Sequence, residues 1–403
     1  MNSPSNLPAP LHIPFLMPLL ALLSGFPPLS TDMYLPIIPH LGELWGVDLK
    51  IINLTLICFF LSYSPALLVY GPISDRFGRK KPLLTGLFLF ILGSFLCATA
   101  TSPKALILAR ILQGIGAAGP SALGLSIIKD YYTGLERKKI LAMIGIIVSL
   151  AVLVGPTMGS WLLLMGSWQI IFILQAVVAI IAFTGVVRIP ETHTNKKNTP
   201  FRKMAGAYLS LFRNSRFLSL TLLFASSMCP FFAFIAGSAD IYIIGFTLSE
   251  QAFGLFFGIN ALFLMSGSLA YVKFATSRND LFLLRLGFSG ILAGGMLLMV
   301  MPHSQILCFT LPMALISFCF GLTRPLSMNL ILETVDQDIG SASSLMMFSN
   351  FIFGALAMWI ISLGGPWKIT IIGLMAVLSG IITLFALWFL LQEKPGIKET
   401  ETI

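Results

Sequence analysis

Gly71-Pro72-Ile73-Ser74-Asp75-Arg76-Phe77-Gly78-Arg79-Lys80-Lys81 is the densest run of charge in the first 130 residues. It stands between two apolar runs, roughly 51–73 and 81–100. Each is close to the ~20 residues that a helix needs to cross a bilayer core. A short charged turn between two such runs reads as a hairpin of membrane-spanning helices. The same reading extends along the chain. Further runs at roughly 12–40, 104–128, 139–164, 167–189, 217–243, 251–274, 281–301, 305–327, 340–364 and 367–391 bring the expected spans to twelve.

Composition agrees. Of 403 residues, 57% are hydrophobic and 10% charged, and the mean hydropathy is +0.92. A soluble domain carries about 25% charged residues, and this chain has too few to cover a water-facing surface. The runs are continuous and lack the period-2 alternation of a barrel strand. The fold class expected is therefore all-α and integral to a membrane. The first run has no Lys or Arg before it and is long for a signal-peptide core, so it is read as the first span.

The net charge of +9 does not point to nucleic acid, because the basic residues sit in short loops. Of the 25 Lys and Arg, only Lys50, Lys104 and Lys368 fall in one alternate set of loops, and Arg110 falls in a helix. By the positive-inside rule, both termini are expected in the cytoplasm of a bacterium, with the chain in its inner membrane. The polar stretch 190–216 divides the chain into residues 1–189 and 217–403, six spans each, and is expected to be a cytoplasmic central loop.

Cys58, Cys97, Cys229, Cys308 and Cys319 all lie in apolar stretches without metal-ligand spacing and read as packing residues. No clustered nucleophile and base, metal-binding pattern or phosphate loop suggests an enzyme. Neither a metal nor an organic cofactor is expected.

Ionisable groups at membrane depth are costly, at about 2.5–3.5 kcal/mol each on insertion scales, and mark functional sites. Asp32 lies late in the first run, in Ser30-Thr31-Asp32-Met33-Tyr34-Leu35-Pro36. Burial favours the neutral form of a carboxyl, so Asp32 reads as a proton carrier or substrate contact. The other reading is a helix-end Asp near water, beside Pro36 and Pro39. Arg110, in Leu108-Ala109-Arg110-Ile111-Leu112-Gln113-Gly114, lies about 9 Å along a helix from Lys104. It keeps its proton and so requires a partner or a wet cavity; snorkelling to the outer interface is the alternative. Asp240, in the seventh run, is either a second protonatable site or a helix-end Asp.

The loop quoted first resembles the signature loop of the major facilitator superfamily. That pattern is Gly, three residues, Asp-Arg, one residue, Gly-Arg and a basic residue, and Gly71, Asp75, Arg76, Gly78, Arg79 and Lys80 match it. The resemblance implies that these residues latch a cytoplasmic gate, with Gly71 permitting close packing and Gly78 a sharp turn. Asp75 is then expected to accept from an arginine or a helix N-terminus across the interface of the two halves. In the fifth run, Ala151-Val152-Leu153-Val154-Gly155-Pro156-Thr157-Met158-Gly159-Ser160 is similar to a motif typical of the family's antiporters, with Ala151 and Ser160 where glycine is usual. Pro156 removes a backbone hydrogen bond and lets the tightly packed helix bend.

Together with Thr31–Pro36, Arg110–Gly114, Lys129-Asp130-Tyr131-Tyr132 and Pro190-Glu191-Thr192, these motifs resemble the Bcr/CflA branch of drug:proton antiporters. The resemblance covers about residues 30–192. It implies two six-helix bundles rocking about a midplane site, drug efflux by exchange with protons, and a functional monomer whose partners are substrate, protons and lipid. A dedicated metabolite exporter and, less well supported, a proton-coupled importer share the fold. Gln113, Asn260 and Asn350 are candidate polar liners of the cavity, beside Asp32 and Arg110. Tyr34, Phe231, Phe234, Phe257 and Met347 are candidate apolar ones, suited to loosely specified lipophilic substrates.

Overall fold

The computed structural model describes residues 15–132, 134–192, 201–274, 279–335 and 339–392. The start of the first apolar run and the stretch 193–200, with Lys196 and Lys197, lie outside them. All regular structure among the described residues is helical.

The first run is not one uninterrupted helix. It is divided into Leu16–Ser24 (α1), Phe26–Asp32 (α2) and Ile37–Trp45 (α3). Proline explains the breaks, since it has no N–H to close the i→i−4 ladder. Pro27 and Pro28 leave the Leu23 and Ser24 carbonyls without that bond, and Pro36 and Pro39 do the same for Asp32 and Leu35. Helical direction is kept across the first break, where Gly25 N–H donates to Ala21 O and Leu29 N–H to Gly25 O, both at 3.1 Å.

Long helices follow: Leu49–Phe77 (α4), Lys80–Ala98 (α5), Pro103–Tyr131 (α6), Gly134–Leu163 (α7) and Gln169–Arg188 (α8). Within the stretch expected to be a loop, Phe201–Arg213 (α9) is helical. Ser215–Ser226 (α10), Met228–Ala239 (α11) and a π-helical turn, Asp240–Gly245, run on as one span. Glu250–Phe274 (α12), Asp280–Val300 (α13), Ile306–Leu332 (α14), Ile339–Ser362 (α15) and Lys368–Gln392 (α16) complete the chain.

Eleven helices among the described residues are long and apolar enough to cross a membrane. The broken first run accounts for the difference from the twelve expected. Side chains such as Phe88, Leu108, Leu255, Val272 and Phe385 are more than half exposed. So much apolar surface is stable only against lipid.

Side-chain caps fix several starts. Ser102 Oγ accepts from Ala105 N–H at 3.3 Å, with Pro103 opening α6. Asn214 Oδ1 accepts from Phe217 N–H at 3.1 Å, and Asn279 Oδ1 from Leu281 N–H at 2.9 Å. Each supplies an acceptor to a helix end that would otherwise lack one.

The chain forms two compact units. The first comprises residues 1–34 and 58–206, the second 35–57 and 207–403, so the division falls inside α4. In the first unit α5 packs on α6 and α8, and α1 and α2 lie on α6 and α7. In the second, α14 holds α12 and α13, α16 lies on α13, and α11 packs on α15.

Gly159 sets how closely α7 approaches the first run, because a Cβ there would overlap the Met33 carbonyl oxygen. At Gly155, one turn earlier, a Cβ would stand 3.1 Å from Asp32 Cβ. Gly159→Val therefore forces two backbones apart, at the 1–3 kcal/mol typical of overpacking. Its thermal unfolding midpoint in detergent is expected to fall by several degrees. Gly71→Ala, which places a Cβ in open space, is expected to match wild type. Equal midpoints for the two variants would remove the close-packing role of Gly159.

Candidate functional site

The first unit encloses a charge. Arg110, two turns into α6, is fully buried. Its Nη1 donates to the Ser30 carbonyl of α2 at 2.9 Å and to Gln113 Oε1 at 2.7 Å. The guanidinium carbon stands 4.3 Å from the ring centroid of Tyr34, 5.2 Å from Phe59 and 5.4 Å from Phe172. Three aromatic faces on three segments thus replace part of its hydration, and a desolvated cation–π contact is worth about 2 kcal/mol. Arg110 Nε and Nη2 have no hydrogen-bond acceptor among the described residues.

Gln113 is the hub beside it. Its Nε2 donates to Ser94 Oγ at 2.8 Å and to Gln175 Oε1 at 2.9 Å. Gln175 Nε2 in turn donates to the Leu29 carbonyl at 3.2 Å. Side chains from α5, α6 and α8 therefore converge on two successive carbonyls, Leu29 and Ser30, of the proline-broken first run. Cutting the ladder at Pro27 and Pro28 does not free these particular carbonyls, but the end of α2 has few bonds of its own to lose.

Asp32 lies two residues beyond Ser30 and is 4% exposed. Its Oδ1 accepts from Thr31 Oγ1 at 2.9 Å. It forms no ion pair with Arg110 among the described residues. Asp32, on α2, and Arg110, reaching α2 from α6, do not form a pair among the described residues. The arginine grips the backbone at Ser30, and the carboxyl faces α7 at Gly155. Of the two readings of Asp32, the helix-end residue near water does not match this burial.

The signature loop builds a second polar network. Arg79 Nη1 donates to Asp75 Oδ1 and Ser74 Oγ, each at 2.5 Å, and Nε donates to Asp130 Oδ2 at 3.2 Å. Asp75 thus has an arginine partner, Arg79, within its own loop. Glu191 accepts from Arg79 N–H at 2.7 Å and Lys80 N–H at 3.2 Å, placing a carboxylate on the N-terminus of α5, where the helix dipole favours it. Lys80 Nζ closes the ring on the Val187 and Ile189 carbonyls, at 2.7 and 2.8 Å.

Gly78 has φ +93°, and a Cβ there would collide with the Glu191 carboxylate. Its place in the motif is thus required by conformation and by space. Gly71, by contrast, has open space around it, so the close approach expected there is absent. Arg76 lies 5.4 Å from the Phe77 ring centroid. Pro156 is inside α7, and the Ser160 hydroxyl donates to its carbonyl at 2.7 Å.

In the second unit Asp240 opens the π-helical turn and forms an ion pair with Lys368 at the start of α16. It is therefore not a lone carboxyl. Phe234, Phe257 and Asn260 are buried. Phe234 stacks on Phe257 at 5.3 Å, and Asn260 Oδ1 accepts from Ser317 Oγ at 3.5 Å. Phe231 is half-buried and stacks on Phe320 at 4.9 Å. Met347 and Asn350 are half-buried on α15. A buried pair that sequence reasoning missed, Tyr242 Oη and Thr310 Oγ1 at 2.9 Å, lies nearby.

Comparison with known proteins identifies the class. Residues 20–358 match the Major Facilitator Superfamily family model, and the chain belongs to that family of membrane transporters. It is 30% identical to the multidrug transporter MdfA of Yersinia pestis, over 70% of this chain and 71% of that one. The bicyclomycin resistance protein homolog of Haemophilus influenzae is 27% identical over 84% of this chain and 86% of its own. An uncharacterized MFS-type transporter of Bacillus subtilis, YdgK, is 28% identical over 96% and 97%. Among solved structures, a peptide transporter, POT, aligns with a TM-score of 0.73 at 15% identity, over 94% of this chain and 96% of that one. The chain is thus a transporter and not an enzyme.

Glu191 is expected to matter as a cap. Glu191→Ala removes the acceptor for two helix-end N–H groups and should cost about 1 kcal/mol, read as a lower thermal midpoint. Glu191→Gln, which keeps one acceptor oxygen, should recover part of the loss. Equal losses in both variants would assign the effect to charge rather than capping.

Proposed function

We propose that this transporter exports small lipophilic antibiotics in exchange for protons by alternating access, as a monomer in a bacterial inner membrane with both termini cytoplasmic. The observation that carries the reading is a buried carboxyl, Asp32, two residues along α2 from the Ser30 carbonyl that a buried cation, Arg110 of α6, holds. The kinship with bicyclomycin and chloramphenicol resistance proteins supports the substrate class.

A proton that neutralises Asp32 removes a buried charge and leaves Thr31 Oγ1 as its one side-chain partner. When the proton leaves, the carboxylate needs donors. The N–H groups of Arg110 Nε and Nη2, which have no acceptor among the described residues, are suited to supply them, to the carboxylate or to a polar group of the substrate. Substrate and proton then compete for one set of donors and acceptors, which is the condition for exchange. The Gln113–Ser94–Gln175 network keeps Arg110 oriented. Each proton moving inward yields about 2.3 kcal/mol per 100 mV of membrane potential. No cofactor is needed, because the proton motive force supplies the energy. On the cytoplasmic side the Asp75–Arg79–Asp130 network would serve as the latch.

Everted vesicles energised by respiration test this. Adding chloramphenicol or another lipophilic antibiotic to wild type should release a pH-sensitive dye from quenching. Asp32→Asn should reduce that response at least tenfold at equal protein in the membrane. A silent wild type across the panel would sink drug export and favour a dedicated metabolite. Equal responses from both proteins would move the coupling site elsewhere, Asp240 first.

A further inference from the structure

A groove of about 630 Å³ runs along the face of the first unit between α4, α5 and the middle of α6. Its wall is apolar and open on one side, since Val69 and Phe77 are each about half exposed. A substrate pocket normally buries most of its ligand, and this groove cannot. Along α4 it extends from Ser62 to Phe77, about 22 Å at 1.5 Å per residue. That is the depth of one leaflet with its headgroups, about half of 40–45 Å.

The polar groups mark which end is which. At the Phe77 end, Lys81 and Thr85 of α5 are exposed on the rim. Lys81 forms no ion pair among the described residues. Its neighbour Lys80, in contrast, is held by two carbonyls. Deeper in, the Tyr70 hydroxyl lies against Gly86 and has no hydrogen-bond partner among the described residues. An amphiphile with an anionic head and a long apolar tail fits this order of groups.

We propose that the groove is a binding site for one anionic phospholipid of the leaflet facing the signature loop. Its phosphate lies against the Lys81 ammonium, and one acyl chain lies along Val69, Tyr70 and Ile115. With the sidedness proposed above, this is the cytoplasmic leaflet, whose anionic lipids attract basic groups. The lipid would rest on the same α4–α5 turn that carries the Asp75–Arg79 network, so its occupancy would stiffen that turn. The site does not depend on which substrate is carried or on proton coupling.

Native mass spectrometry of the purified full chain, titrated with phosphatidylglycerol or with phosphatidylcholine of the same acyl chains, tests the site. Wild type should retain one phosphatidylglycerol about fivefold more tightly than phosphatidylcholine, the ratio that one lysine at a membrane surface gives. High salt should shrink that ratio without any substitution. Lys81→Gln should abolish the preference and Lys81→Arg should keep it. Val69→Trp, which fills the groove, should lower retention of both lipids. No headgroup preference in wild type, or a preference that survives both salt and Lys81→Gln, overturns the assignment. Displacement of the lipid by chloramphenicol at transport concentrations would instead make the groove part of the substrate path.

Discussion

A guanidinium that cannot shed its proton is shut inside a membrane protein here, and much of the first unit is organised to tolerate it. Leaving such a charge unpaired in a low-dielectric interior costs several kcal/mol. Arg110 offsets this with one backbone carbonyl, one side-chain amide and three aromatic faces. Among the described residues no carboxylate pairs with it. A direct ion pair with Asp32 would be stronger and also static. Holding Arg110 on neutral acceptors leaves its remaining donors available for a group that comes and goes.

The proline breaks of the first run follow from the same requirement. A continuous helix offers no spare backbone acceptors except at its ends. Phe26–Asp32 is a short segment between breaks, and two of its carbonyls, Leu29 and Ser30, take side-chain donors from α8 and α6. Asp32 rides on that segment, packed against α7 where Gly155 leaves room for it. A change in the charge of Asp32 therefore acts on a piece of backbone already tied to Arg110 and pressed against the Gly155–Gly159 face.

Much of this was legible in the sequence, for identifiable reasons. The all-helical class follows from apolar length, which tertiary contacts hardly alter. Arg110 and Asp32 stood out because a charge in an apolar run has few explanations. Gln175 and Ser94 were overlooked, although a glutamine in Phe172-Ile173-Leu174-Gln175 carries a weaker form of the same signal. Glu191 and Asp130 were visible as motif residues, yet their function as a cap and a second acceptor for Arg79 depends on chain ends more than fifty residues apart meeting. Spacing along a sequence cannot show that. The reading of Gly71 failed for the opposite reason: a glycine in a motif suggests close packing, and only the surrounding space decides.

Asp240 shows how one partner changes a residue's meaning. In the sequence it mirrors Asp32, each late in the first span of its half. In the structure Lys368, at the start of α16, sits against it. A carboxylate already neutralised by an ammonium gains little from a proton, because protonation would strand the lysine. Asp32, with a hydroxyl as its one side-chain partner among the described residues, faces no such penalty. Between two carboxyls placed alike along the chain, the difference in what each would leave behind on taking a proton makes Asp32 the better fit to the proton role proposed above.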